Sequence, residues 1–139
     1  MPYYGPSGSS VSAATQAEQE TGTATNVYVS PGRQQYHTSA SKGWIVFNGT
    51  GTVAIGASYN VTSITDNGTG NYTVTWATDF SGAEYGYSII AEATSGSHPF
   101  GISAGNATRL AGSIDVKLFQ FSGSALDYPG VSVLAFGDQ

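Results

Sequence analysis

Residues 42–76 read Lys42-Gly-Trp-Ile-Val-Phe-Asn-Gly-Thr-Gly-Thr-Val-Ala-Ile-Gly-Ala-Ser-Tyr-Asn-Val-Thr-Ser-Ile-Thr-Asp-Asn-Gly-Thr-Gly-Asn-Tyr-Thr-Val-Thr-Trp76. Trp44-Ile-Val-Phe47 is apolar on both faces, and Val53, Ile55, Ala57, Tyr59 and Val61 then alternate with small or polar residues. That period of two is the mark of a half-buried β-strand. Asp66-Asn-Gly-Thr-Gly-Asn71 interrupts it, after which Tyr72, Val74 and Trp76 point one way while Thr73 and Thr75 point the other. Asn67-Gly68 is a strong short-range turn signal because both residues tolerate positive φ, so the stretch predicts a hairpin.

The same period continues downstream. Strands are predicted over Tyr85 to Ala93, Ser113 to Phe121 and Val131 to Phe136, with turn-rich loops at 94–101 and 122–130. Short strands at this spacing predict an antiparallel β-sandwich. Several carry apolar residues on both faces: Ile45, Val46 and Phe47; Ile89 with Ile90; Leu118, Phe119 and Phe121. A two-sheet sandwich buries one face of each sheet, so the surplus predicts that another subunit covers the remainder.

Upstream the signals change. From Ser12 to Thr21 the residues favour helix, with Thr15-Gln-Ala-Glu18 in the capping-box pattern and Gly22 placed to stop it. A second short helix or turn is predicted at Ser30 to His37, with Ser30 as cap and Pro31 at the first helical position. Neither has an apolar stripe wide enough to pack alone. Residues 1–12 show turn residues and no periodicity, which predicts an extended arm on which Pro2, Tyr3, Tyr4 and Pro6 form an anchor. The expected organisation is therefore an arm over 1–12, a short helical collar over 13–41 and a β-sandwich head over 42–139.

A length of 139 residues suits one principal domain. With no cysteine, thiol nucleophiles, disulfides and Cys-type zinc sites are excluded. Four basic residues against nine acidic ones, a formal net charge of −5, argue against a nucleic-acid backbone or an anionic membrane as partner. The first ten residues lack the basic and apolar regions of a secretory signal, and no apolar run reaches the length of a membrane helix. A soluble protein, neither exported by that route nor inserted in a membrane, is expected.

Catalytic chemistry finds little support in the residues. His37 and His98 are the only histidines and have no ligand-type neighbour at metal-binding spacing. Asp66 to Asn71 imitates part of a calcium loop but lacks the bidentate acid, and a turn is the better reading. Asp79, Glu84, Glu92, Asp115 and Asp127 could serve glycoside hydrolysis only if two converged on a sugar. No nucleophile-elbow motif occurs. The N-x-T triplets at Asn48, Asn60, Asn67, Asn71 and Asn106 are read as turn and strand chemistry. Neither enzyme activity nor a cofactor is expected. Among nine tyrosines, Tyr85, Tyr87 and Tyr128 sit near loop ends and are the best binding candidates, whereas Tyr59, Tyr72 and Tyr87 are also read as packing residues from alternation.

Five segments carry a resemblance. Ala17-Glu-Gln-Glu-Thr-Gly-Thr-Ala-Thr25, Val29-Ser-Pro-Gly-Arg-Gln-Gln-Tyr-His37, Lys42 to Ile55 and Ala57 to Val74, with the ending Val131-Ser-Val-Leu-Ala-Phe-Gly-Asp138, resemble the C-terminal module of tailed-bacteriophage tail fibre proteins. The likeness spans residues 13–139 in order, and 75–128 match in pattern alone. It implies a homotrimer, with Glu18, Glu20, Arg33, Tyr36, Trp44 and Val46 at the subunit interface. It also implies a virion location on the tail, and host attachment through a surface glycan or protein. The receptor-binding candidates are Tyr85, His98, Phe100, Asp127 and Tyr128. A fibre of this type usually has a long N-terminal shaft; a chain with its Met a dozen residues before the helix would dock on another virion protein through its arm. The alternative expectation is a head fibre or capsid-surface decoration protein with a purely structural role. A depolymerising tailspike would require the carboxylates to converge.

Overall fold

The computed structural model describes residues 11–92 and 108–139. The chain divides into two compact units, Met1–Ala40 and Ser41–Gln139. Helix is scarce in the first. Helix α1 spans Gln16–Thr21, six residues, and a 3₁₀ turn spans Gln34–Tyr36. The capping box forms as read: the Glu18 amide donates to the Thr15 hydroxyl at 3.2 Å and the Thr15 amide donates to the Glu18 carboxylate at 2.8 Å. Gly22 ends the helix at φ +66°, a conformation that costs glycine little. Ser12 to Ala14 lie outside the helix because they pair with the chain at Tyr28, the Ala14 amide donating to the Tyr28 carbonyl at 2.8 Å.

The second unit is mainly β, with two antiparallel four-stranded sheets. Its strands are β1 (Ser41–Asn48), β2 (Ala54–Tyr59), β3 (Val61–Asp66), β4 (Asn71–Trp76), β5 (Gly86–Glu92), β6 (Arg109–Leu110), β7 (Ser113–Lys117) and β8 (Gly130–Phe136). The sheet orders are β2-β1-β8-β5 and β3-β4-β7-β6. One core lies between them, built from Ile45, Phe47, Ile89, Val131 and Val133 on the first sheet and Tyr72, Val74, Trp76, Ile114 and Val116 on the second. Edge-to-face contact of Phe47 with Tyr72, 5.1 Å between centroids, joins the sheets near one end of β1 and β4. Gly43 lies under the Trp76 ring, where a β-carbon would sit 2.8 Å from it.

Three local expectations change. The run from Val53 to Val61 is two strands, broken at Asn60, whose φ is +54°. Asparagine tolerates this left-handed conformation because its side chain can bond to nearby backbone. Asn60 Nδ2 donates to the carbonyls of Lys42 at 2.9 Å and Thr78 at 3.1 Å, while its Oδ1 accepts from the Thr78 amide at 2.7 Å. One residue thus carries the chain from one sheet to the other.

The hairpin joins β3 to β4 with a longer turn than Asn67-Gly68 alone would make. The Asn67 amide donates to the Asn71 carbonyl at 2.8 Å, and Gly68 and Gly70 take the positive φ values, +111° and +62°. Asn67 does not take one.

The predicted strand from Ser113 to Phe121 stops at Lys117. Beyond it the Leu118 amide turns to the Gly70 carbonyl at 2.7 Å and the Gln120 amide donates to the Ser124 carbonyl at 2.9 Å. Leu118 is buried, but Phe121 is 82 % exposed on a turn; this segment is not a two-faced strand.

Candidate functional site

The anchor residues Pro2, Tyr3, Tyr4 and Pro6 and the receptor candidates His98 and Phe100 lie outside the described residues. Of the remaining receptor candidates, Tyr85 and Tyr128 were expected on exposed loop ends, and both are buried. The Tyr85 ring stacks on Phe80 at 3.9 Å, its hydroxyl donates to the Ser113 carbonyl at 2.9 Å and accepts from Trp76 Nε1 at 3.1 Å. Burial drives its phenol pKa upward, against the lowering effects of the Trp76 bond and the Arg109 charge. The Tyr128 hydroxyl donates to the Phe119 carbonyl at 3.2 Å. Both are core aromatics whose polar tips find backbone partners; Tyr85 falls on the buried side of the alternation that runs on to Ile89, whereas Tyr128 lies in a loop that alternation does not reach.

Asp127 is a structural group in this chain. Its Oδ1 accepts from the Gly70 amide at 2.6 Å and from the Tyr72 hydroxyl at 2.5 Å, and the same hydroxyl lies 2.9 Å from the Gly49 carbonyl. The carboxylate therefore ties the 122–130 loop to the β3–β4 turn and to the end of β1. Burial, then the bond to Asp127 and its charge, push the Tyr72 phenol well above its ordinary value of 10.0. No pairing of Asp127 with Tyr72, 55 residues apart, was legible in the sequence.

The other carboxylates are also dispersed. Asp115 accepts from the Thr73 hydroxyl at 2.8 Å and from the Thr108 amide at 3.3 Å. Glu84 pairs with Arg109 at 3.0 Å, and the guanidinium also donates to the Tyr85 carbonyl at 2.7 Å. Among the described residues no three metal-ligating side chains come together, and no helix is long and apolar enough to cross a membrane.

In the first unit Glu18 is engaged in the capping box, which holds its carboxyl below the usual value, chiefly through the Thr15 amide. Glu20 accepts from Gln16 Nε2 at 2.7 Å, Arg33 is exposed and Tyr36 is half-buried. A hollow of about 170 Å³ is lined by Ala14, Gln19, Gly22, Ala24, Val27 and His37 among others. It carries no charge-complementary set beyond the capped Glu18 and an exposed imidazole.

The two outer sheet faces differ. On the second sheet, register places Ser63, Thr65, Thr73, Thr75, Ser113, Asp115 and Lys117 on the side away from the core. Asn67 Nδ2 donates to Thr73, which donates in turn to Asp115, each at 2.8 Å, so this face is knit by polar bonds. On the first sheet, Trp44 and Val46 face away from the core, in register with Leu134 and Ser132 on β8, which in turn align with Ser88 and Ile90 on β5. Phe136 continues the row, and Val46, Ile90, Leu134 and Phe136 are exposed, with Trp44 half-buried. Of the charged residues in those four strands, Lys42 is buried and Glu92 stands at the far end of β5.

No protein-family model matches the chain, and no significant similarity links it to a curated protein or to a solved structure.

Proposed function

We propose that this chain is the tip module of a homotrimeric bacteriophage virion fibre, a tail fibre that attaches to a host-surface glycan or protein without enzymatic activity. The ordered likeness of residues 13–139 to fibre C-terminal modules supports the phage assignment. The supporting structural observation is the state of the first unit. Its described residues bury only Ala14 and Gln19 and leave Val11, Tyr28 and Val29 exposed. A six-residue helix is too short to persist in water on propensity, so a collar of this kind gains its order from neighbouring copies. Glu18, Glu20, Arg33 and Tyr36 line that collar in the proposal, and Trp44 and Val46 belong to the head's part of the interface. The arm carries Pro2, Tyr3, Tyr4 and Pro6 to another virion protein.

A second reading, capsid decoration without a receptor, gains weight from the burial of Tyr85 and Tyr128, since two of the aromatic side chains suited to a sugar are committed to the core. The two readings are separated by imaging labelled protein on purified particles together with binding of the purified chain to host cells. Label at the tail tip with saturable cell binding supports the fibre. Label on the capsid with no cell binding supports decoration, and absence from particles removes both.

A further inference from the structure

We propose that Asn67 is a self-modification site: the Gly68 amide nitrogen closes on the Asn67 side chain and converts it, through a succinimide, to aspartate or isoaspartate, with Asp66 taking the proton of the attacking nitrogen. Asparagine is chemically labile, most of all where the next residue lets its backbone nitrogen reach the side-chain carbonyl carbon. Glycine, with no β-carbon, hinders that approach least. Two Asn-Gly pairs occur in the chain, Asn48-Gly49 and Asn67-Gly68, while the other asparagines precede Val27, Val61, Tyr72 and Ala107. On sequence the two pairs have equal standing. The structure separates them.

At the first pair, ring closure is blocked. Gly49 is buried, and its amide donates to the Tyr128 carbonyl at 2.9 Å. The place a β-carbon would take at Gly49 lies 2.5 Å from the Tyr72 hydroxyl and 3.0 Å from the Tyr128 carbonyl oxygen, so this backbone has no room to move. The Asn48 side chain is held at both ends. Its Oδ1 accepts from the Thr50 amide at 3.0 Å and from the Thr50 hydroxyl at 2.8 Å, and its Nδ2 donates to the Thr50 carbonyl at 3.1 Å.

At the second pair each obstacle is missing. Asn67 and Gly68 are both exposed, and nothing lies within 4 Å of the β-carbon position at Gly68. The Asn67 side chain is tethered only through Nδ2, which donates to the Thr73 hydroxyl at 2.8 Å. The Gly68 amide donates to Asp66 Oδ1 at 2.9 Å, so the proton that must leave the attacking nitrogen already has an acceptor. Nucleophile and carbon belong to adjacent residues, which makes the reaction intramolecular and spares it the entropy of an encounter.

The atoms balance with water as the one co-reactant and no change of oxidation state. A bond forms between Gly68 N and Asn67 Cγ as the amide proton passes to Asp66 Oδ1. The Cγ–Nδ2 bond then breaks, and Nδ2 takes up that proton and departs as ammonia. Water opens the succinimide, giving aspartate by attack at Cγ or isoaspartate by attack at the backbone carbonyl. The product adds a negative charge beside Asp66 and deletes the donor that Asn67 gives Thr73, whose hydroxyl bonds to Asp115. The polar outer face of the second sheet thereby loses its link to the β3–β4 turn.

The full-length chain is incubated at neutral pH, digested, and mapped by chromatography and mass spectrometry, which separate aspartate from isoaspartate at each site. Asn67 is expected to convert at least tenfold faster than Asn48 in the folded protein, and the two rates are expected to converge in guanidinium, where Gly49 is freed. Asp66→Asn keeps an oxygen for the Gly68 amide while removing the charged acceptor, and is expected to slow conversion of Asn67 at least threefold with the circular dichroism unchanged. Equal conversion of both pairs in the folded chain, faster conversion of Asn48, or a tenfold difference that persists in guanidinium would overturn the proposal. An unchanged rate in the Asp66→Asn variant would overturn the role given to Asp66.

Discussion

Tyr72 shows how much a single side chain holds in place here. Its hydroxyl joins Gly49, Asp127 and through Asp127 the Gly70 amide, so three segments distant in sequence share one buried polar knot. Tyr72→Phe should cost about 1–3 kcal/mol, because it strips the half-buried Asp127 carboxylate of one of its two donors; urea unfolding measures it. The pH dependence has a defined sign. The folded-state phenol ionises above the ordinary value of 10.0, so below that pH the stabilisation is complete. Above it the unfolded chain releases its proton first and stability falls as pH rises. Tyr85 shifts in the same direction, so Tyr72→Phe should shallow the alkaline decline without removing it, as read from urea midpoints over a pH series. Gly70 is a further fixed point. It combines φ +62° with backbone of Leu118 and Leu126 closer to its missing β-carbon than any real side chain allows. Gly70→Ala should therefore destabilise by more than the roughly 1 kcal/mol of an ordinary glycine substitution.

Among the elements, α1 and the sheets depend on different forces. The helix is held by its ends: Thr15→Ala removes the hydroxyl that caps Glu18, and should cost about 0.5–2 kcal/mol of local stability, visible as faster amide exchange over Gln16–Thr21. Glu18 has its pKa lowered from 4.5, so its contribution is present above that pH and is lost as pH falls through the lower folded-state value. The sheets are held by what lies between them. Ile114 is fully buried on β7, and Ile114→Ala should cost about 2–5 kcal/mol by leaving a cavity the neighbouring strands cannot close. The β3–β4 hairpin was legible from the turn residues at 66–71 because local backbone preference sets it, although Gly68 and Gly70 rather than Asn67 and Gly68 take the positive φ. The break at Asn60 was not, since its reason lies in the carbonyls of Lys42 and Thr78, eighteen residues away on either side.

For the molecule as a whole, the unequal outer faces of the two sheets set the expectation. A trimer should sediment at about three times the 14.3 kDa of one chain, and it should weaken on dilution together with the fluorescence environment of Trp44. Trp76 is buried in the core, so Trp76→Phe isolates that signal. The alternation of Tyr72-Thr-Val-Thr-Trp76, the Thr15–Glu18 cap and the turn residues at 66–71 determined by themselves that this chain is strand-rich behind a short capped helix, because each of those signals acts over a few neighbouring residues. Which tyrosines would be core, where Asp127 would bond, and which sheet would turn an apolar face outward were decided by tertiary structure. A period of two separates a strand's faces without saying what lies opposite either one, and only the pairing of β1 with β8 and β8 with β5 brought Trp44, Leu134 and Ile90 onto one surface.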